Sequence, residues 1–196
     1  MTTMEKAGTE QVTDPSGNIT ADGGETASQD LMRGMTDGAR QGAREGKYLT
    51  FTLADEEYGI GILKIKEIIG MMPITPVPRT PRFVKGVINL RGKVIPVIDL
   101  RLRFGMEEME YSERTSIIVV EIEGETGIVH TGIVVDSVSE VLNISEEETE
   151  DAPAFGDRLN TDFILGMAKM EGGVKILLDI DRVLTSEEVA MIEKAA

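Results

Sequence analysis

The sequence predicts a mainly β fold that closes with one helix, and two features of its pattern lead to this prediction. From Tyr48 onward, short apolar runs recur at intervals of about ten residues with Gly or Pro between them, as is typical of small β-barrels. Near the C-terminus, Thr185 and Glu188 form a helix-capping sequence at the start of residues 186–195. Barrels of about 70 residues are marginally stable alone, so we expect two barrels that share an Ile/Val/Leu interface.

The composition of residues 1–46 predicts a disordered N-terminal tail. They are rich in Gly, Thr, Ser, Asp and Glu, and Leu31, Met32 and Met35 form their only apolar cluster. Such a segment buries too little apolar surface to offset the conformational entropy lost on ordering. The predicted folded region therefore comprises residues 47–196.

The folded region begins with strands and an extended segment. Residues 48–53 alternate like a half-buried strand before a turn at 55–57. Residues 58–69 mix two periodicities, which predicts a strand, a short helical turn and extended chain. Four prolines within residues 72–81 forbid a helix and suit an extended edge segment.

Three hairpins are predicted further along the chain. Each consists of two apolar runs separated by a short segment rich in Gly or charged residues: 87–90 and 93–98 around Arg91-Gly92, 116–122 and 127–135 around 123–125, and 163–170 and 174–180 around 171–173. Residues 138–144 are expected to continue the sheet of the second hairpin. Residues 146–151 are expected to form an acidic loop that ends at Pro153.

Composition excludes several kinds of site and partner. The chain has no Cys and a single His130, so disulfides, thiolate ligands and multi-histidine metal sites are impossible. No apolar stretch approaches the roughly 20 residues that span a bilayer, and no signal peptide is visible at the N-terminus. We therefore expect a cytoplasmic protein. The net charge of −15 disfavours nucleic acid and the membrane surface as partners, because phosphates and anionic lipids are repelled. Without a spanning stretch, we expect no direct membrane insertion.

Candidate catalytic groups are few. His130 lies on a predicted strand without triad-like spacing to Asp or Ser, and we expect a packed or half-exposed side chain. Asp179 and Asp181 would share one strand face beside Arg182, where we expect them to be solvated. Gly59 and Gly61 lack the third glycine of a dinucleotide site. The sequence therefore predicts a non-catalytic protein without a cofactor.

Charge is segregated along the chain. Residues 79–103 contain seven basic residues and one acid, whereas residues 104–162 contain 16 acids and only Arg114 and Arg158 as bases. Segregation of this kind suits a protein that presents different surfaces to different partners.

The stretch Lys85-Gly-Val-Ile-Asn-Leu-Arg-Gly-Lys-Val-Ile-Pro-Val-Ile-Asp-Leu-Arg101 resembles the signature of the CheW family of chemotaxis coupling proteins. Further similar segments follow in order and extend the resemblance over residues 47–196. They include Glu56 to Ile60, Lys66 to Ile68, Gly132 to Asp136, Ser139 to Leu142, and Phe163 to the final helix.

The resemblance implies a fold and a set of partners. The fold would be two intertwined SH3-like, five-stranded β-barrel subdomains around a shared apolar core, plus the C-terminal helix. The protein would couple the cytoplasmic tip of a methyl-accepting chemoreceptor to the regulatory domain of the histidine kinase CheA. It would be recruited from the cytoplasm to membrane receptor arrays.

The resemblance also implies receptor-binding residues. Arg91 and Glu67 correspond to receptor-binding positions of the family and are expected to pair, and Asn89 lies in the same hairpin tip. Ile62, Ile65 and Ile68 correspond to the family's receptor groove. Simple core packing is the alternative for each isoleucine, and Ile68 looks the most core-like.

Other positions near this motif are expected to be structural. Val94, Ile95, Val97 and Ile98 are expected in the barrel core, and Asp99 is expected to cap the following turn. The hairpin tip at 123–129 is slightly long for the family, which leaves family contacts at that loop open.

Two alternative functions remain open from the sequence. One is a related coupling protein that serves a chemosensory pathway without motility. The other is an unrelated small-barrel protein that binds a small molecule or a nucleic acid, which would require clustered exposed aromatic residues and a basic face. Five Phe, three Tyr and no Trp disfavour the second.

Overall fold

The computed structural model of the chain describes residues 45–124, 127–152 and 162–195. The predicted disordered tail, residues 1–46, lies outside the described residues except for Glu45 and Gly46, and it stays a prediction. Gly46 already belongs to the first strand, so the folded part begins slightly earlier than expected.

The fold of the described residues is mainly β, as predicted. The strands are, in chain order, β1 Gly46–Leu53, β2 Glu56–Gly61, β3 Ile65–Gly70, β4 Val84–Leu90, β5 Lys93–Asp99, β6 Ser116–Glu123, β7 Ile128–Val135, β8 Ser137–Ile144, β9 Thr149–Glu150, β10 Ile164–Met170 and β11 Gly173–Leu178. The helices are α1 Leu100–Arg103, α2 Ile180–Val183 and α3 Ser186–Ala195, and 3₁₀ turns lie at Ile62–Lys64 and Glu146–Glu148.

These strands form two sheets. The five-stranded sheet has the order β3-β6-β7-β5-β4, and the six-stranded sheet has the order β8-β1-β2-β11-β10-β9. The expectation of five strands in each sheet is therefore wrong for the second. The sixth strand of that sheet is β9. Its residues were expected to belong to an acidic loop at 146–151, but the backbone of Thr149–Glu150 pairs with β10.

The two sheets have the same arrangement of strands, although the equivalent strands follow one another in a different order along the chain. The order β8-β1-β2-β11-β10 repeats β3-β6-β7-β5-β4 position by position, and the single parallel pair is β2 with β11 in one sheet and β7 with β5 in the other. Because β1 and β2 come before the five-stranded sheet in the chain and β8 to β11 come after it, the six-stranded sheet is built from both ends of the folded region.

The three predicted hairpins are confirmed as β4–β5, β6–β7 and β10–β11. The expectation that residues 138–144 continue the sheet of the second hairpin is wrong, because β8 pairs with β1 instead.

Asp136 holds the chain in place where it passes from one sheet to the other. Its backbone N–H donates to the Thr52 carbonyl (3.1 Å), and its carboxylate accepts from the Ala54 N–H (2.7 Å) and from the Arg101 guanidinium.

An apolar layer between the sheets forms the largest core cluster. In β6, Ile118, Val120 and Ile122 belong to this shared layer, whereas the alternate residues Ile117 and Val119 belong to a second cluster that is confined to the five-stranded sheet and its proline-rich flank. The continuous apolar run of β6 is therefore explained by burial on both faces.

The C-terminal helix α3 is attached as its sequence predicts. The Thr185 hydroxyl accepts from the Glu188 N–H (3.2 Å), and the Glu188 carboxylate accepts from the Thr185 N–H (2.7 Å). Arg103 then pairs with Glu188 (3.0 Å) and links α3 to α1. Val189 and Ile192 pack into the shared layer.

Gly86 allows the proline-rich segment to lie against β4. Its φ is +139°, and a β-carbon there would lie 2.1 Å from the Thr75 carbonyl oxygen.

Substitution of Gly86 by Ala should therefore lower the free energy of unfolding by about 3 kcal/mol or more, as measured by urea denaturation. Gly92, with φ +85° and open space around it, provides the control, and Gly92→Ala should cost only about 1–2 kcal/mol. Equal losses in the two variants would show that the close approach at Gly86 is unimportant.

Candidate functional site

The tip of the β4–β5 hairpin is a two-residue turn formed by Arg91 and Gly92. Their φ angles are +54° and +85°, which is the left-handed geometry of a type I′ turn. The Asn89 side-chain oxygen accepts a hydrogen bond from the Gly92 N–H (2.9 Å). Asn89 thus stabilises the turn, and Gly92 adopts positive φ without strain because it has no β-carbon. Arg91 is unexpected in this conformation, since Asn or Gly is preferred there.

Arg91 pairs with Glu67 of β3 at 2.9 Å, as the resemblance implies. The Arg91 side chain remains 79% exposed, so the pair contributes only about 0–1 kcal/mol to folding. The strands β3 and β4 are the two edges of the five-stranded sheet. The ion pair therefore joins the turn at the end of one edge strand to the middle of the opposite edge strand.

The three predicted groove isoleucines differ in burial. Ile62 and Ile65 are partly buried against the shared apolar layer. Ile68, which the sequence marked as the most core-like, is 45% exposed, so that expectation is wrong. Because β3 is an edge strand, one flank of Ile68 has no neighbouring strand to cover it. Val94, expected in the core, is likewise exposed, whereas Ile95, Val97 and Ile98 are buried as predicted.

The structure brings only part of the predicted site together. Arg91, Glu67 and Asn89 form one cluster. A β-bulge between Ile65 and Glu67 resets the alternation of side chains along β3. As a result Glu67 and its pairing partner Val119 lie on the sheet face that carries the second apolar cluster. Ile65 and Ile68 lie on the opposite face, which carries the shared apolar layer. The edge strand β3 therefore presents Glu67 beside the partly buried Ile69 on one face, and Ile65 and Ile68 on the other.

Sequence reasoning missed two features beside this edge. Leu63, at the apex of the 3₁₀ turn, is 93% exposed, although its place in a short helical turn between isoleucines could have drawn attention to it. Lys64 pairs with Asp181 (2.5 Å) and Glu123 (3.5 Å). Burial lowers the pKa of Lys64, but hydrogen bonds and charges from Asp181 and Glu123 outweigh this and raise it. The cation therefore stays charged and fixes the turn that carries Leu63.

The two aspartates expected to be solvated on one strand face have other roles. Asp179 begins α2 and accepts from the Asp181 N–H (3.2 Å), and Asp181 binds Lys64 and the Glu123 N–H (2.9 Å). Burial, and then the charge of Asp181, raises the pKa of Asp179. Asp99 caps α1 through the Leu102 N–H (3.2 Å), as predicted.

His130 is half-exposed on β7 and lies 3.2 Å from the Glu121 carboxylate, which also accepts from Lys66. The hydrogen bond from Lys66, followed by that from His130, lowers the pKa of Glu121. The strand position of His130 is confirmed, and its contacts are those of a polar surface cluster. Among the described residues, no helix is long and apolar enough to cross a membrane.

Comparison with known proteins gives one consistent family. The family model of the CheW-like domain matches residues 47–188. The chain is 43% identical over 150 residues to the chemotaxis protein CheW of Klebsiella aerogenes, covering 76% of this chain and 88% of that protein. It is 35% identical over 155 residues to the chemotaxis protein CheW of Rhizobium meliloti, covering 79% and 97%.

A solved structure supports the same comparison. The crystal structure of the scaffolding protein TtCheW from Thermoanaerobacter tengcongensis matches with a TM-score of 0.65 and 38% identity, over 74% of this chain and 97% of that one. The likeness extends over nearly the whole of that protein.

The strained turn generates a stability prediction. Arg91→Asn should leave the free energy of unfolding unchanged or raise it by up to about 1 kcal/mol, because Asn tolerates positive φ and the lost ion pair is exposed. Asn89→Ala should instead lower it by about 1 kcal/mol, since the Gly92 N–H loses its acceptor. Urea denaturation measures both. A loss above about 1 kcal/mol for Arg91→Asn would mean that Arg91 is required for folding.

Proposed function

Since the chain belongs to the CheW-like family, we propose that it is a chemotaxis scaffold that couples the cytoplasmic tip of a chemoreceptor to the histidine kinase CheA. The proposed role is non-catalytic, and the matched family and its named relatives are chemotaxis and scaffolding proteins. Such a protein would work in the cytoplasm and be recruited to receptor arrays in the membrane. Holding two partners on one rigid body raises their effective concentration for each other.

The observation that carries the receptor assignment is Arg91 at positive φ. A residue held in an unfavourable backbone conformation, whose only described ion pair is solvent-exposed, contributes little to stability. Strain of this kind is retained where a side chain is needed for function. We therefore assign Arg91, with Glu67, to recognition of the receptor, and Asn89 to holding the turn in place.

Apolar anchors on the other face of the same edge strand, and on the turn before it, fit a helical partner that packs across this edge. Ile68 and Leu63 are exposed on β3 and on the turn that precedes it. An amphipathic receptor helix would place its apolar stripe on such side chains and use Glu67 and Arg91 to set its register. Ile62 and Ile65, which are partly buried, would then support the anchors from beneath.

We also propose that each sheet curls into an SH3-like barrel. The Glu67–Arg91 pair supports this for the five-stranded sheet, because it joins opposite edges of one sheet. The repeated strand order supports it for the other sheet. The kinase would bind through its own regulatory domain, and we assign no residue to that contact.

Charge reversal tests the receptor site. Arg91→Glu and Glu67→Lys should each remain folded, abolish pull-down of a receptor cytoplasmic fragment and abolish chemotactic swarming. Pull-down of CheA should persist. The double variant Glu67→Lys/Arg91→Glu restores the ion pair with reversed polarity, and it should still fail to bind the receptor, because the partner meets the wrong charge at each position.

A matched control comes from the six-stranded sheet. Lys169 and Glu150 form an exposed ion pair (2.5 Å) between β10 and β9, and Lys169→Glu should leave receptor pull-down intact. Restoration of binding by the double reversal would show that the pair has only a structural role. Normal coupling by the single variants would remove the site assignment altogether.

A further inference from the structure

A polar cavity of about 520 Å³ lies where the β1–β2 turn meets α1 and the loop before β6. Its walls include Thr52, Arg101, Met109, Ser112, Arg114 and Asp136. The volume falls in the range of about 300–1,000 Å³ that is typical of small-molecule sites. None of the residues assigned to receptor recognition lines it, so the cavity is separate from the proposed coupling surface.

Arg101 brings unused hydrogen-bond donors to this cavity. Its side chain is only 14% exposed, and it donates through Nε to the Glu107 carbonyl (3.2 Å) and through Nη1 to Asp136. A guanidinium has five N–H donors. In the part of the chain that the structure describes, the remaining donors of Arg101 have no protein acceptor.

Arg114 adds a second guanidinium at the same cavity. Its side chain forms no ion pair or hydrogen bond with any described residue, and it is one of only two bases among the 16 acids of residues 104–162. Arg101 and the Ala54 N–H both donate to Oδ2 of Asp136, so among the described residues Oδ1 of this carboxylate is still a free acceptor. Asp55 is the other carboxylate at the wall, and it lies in the exposed β1–β2 turn. The donors therefore exceed the free acceptors.

We propose that this cavity binds a small organic oxyanion, a carboxylate or a phosphate ester. Arg114 and the free N–H groups of Arg101 hold its oxygens through charge-assisted hydrogen bonds, which are stronger than neutral ones. Met109, which is 43% exposed, contacts its apolar part. Arg101 is already paired with Asp136, so Arg114 supplies the charge that attracts the anion and the free N–H groups of Arg101 orient it.

The test uses isothermal titration of the full-length chain with succinate and, separately, with inorganic phosphate. At least one probe should bind saturably, and the better probe identifies the carboxylate or the phosphate class. Arg114→Ser should weaken binding of that probe about tenfold, because charge-assisted hydrogen bonds are lost. Lys47→Ser, which removes an equal charge from an exposed β1 position away from the cavity, should change affinity less than about twofold.

Circular dichroism would verify that both variants are folded, as expected for substitutions of exposed residues. Absence of saturable binding for both probes would overturn the proposal. Equal weakening by Arg114→Ser and Lys47→Ser would also overturn it, since binding would then follow net charge and not the cavity. Chemical-shift changes at the Ala54 and Ser112 amides on addition of the better probe would support the location.

Discussion

The apolar layer shared by the two sheets is the constraint on which the rest of the structure depends. It contains residues of β1 and β2 from one sheet, β5, β6 and β7 from the other, and α3. Because the six-stranded sheet is assembled from both ends of the folded region, neither sheet can complete its buried face without the other. Burial at about 25 cal/mol per Å² of apolar area makes this layer the main source of stability for two otherwise small units.

A core that lies between the sheets leaves their edges and hairpin tips free for binding. Arg91, Leu63 and Ile68 occupy such positions, and none of them belongs to a buried cluster. The strained turn at Arg91 persists because the sheet that carries it is packed on both faces. The residues that we propose for recognition are thus different from those that form the core, so a charge can be reversed at the tip without removing core contacts.

Local signals in the sequence predicted much of this architecture. The three hairpins, the capping pair Thr185 and Glu188, and the cap at Asp99 all depend on residues close in the chain. The repeated topology has a sequence signal that our predictions missed, because Phe83, Gly86, Gly92 and Asp99 recur 80 residues later as Phe163, Gly166, Gly172 and Asp179. The pairing of β8 with β1 and the exposure of Ile68 could not be predicted, since they depend on which strands lie at a sheet edge. Val94 is exposed although β5 is an interior strand, and it lies close to the hairpin tip. The paired Glu67 and Arg91 came from family resemblance, and their spacing alone did not predict the contact.

The central proposal is that a chemoreceptor tip is recognised by the edge formed by β3 and the β4–β5 tip. Nuclear magnetic resonance of the ¹⁵N-labelled chain, titrated with a helical fragment of a chemoreceptor tip, tests this most directly. The account predicts that the largest amide shifts fall on Leu63, Glu67, Ile68 and Arg91. Shifts confined to the six-stranded sheet, with these four amides unchanged at saturation, would contradict it.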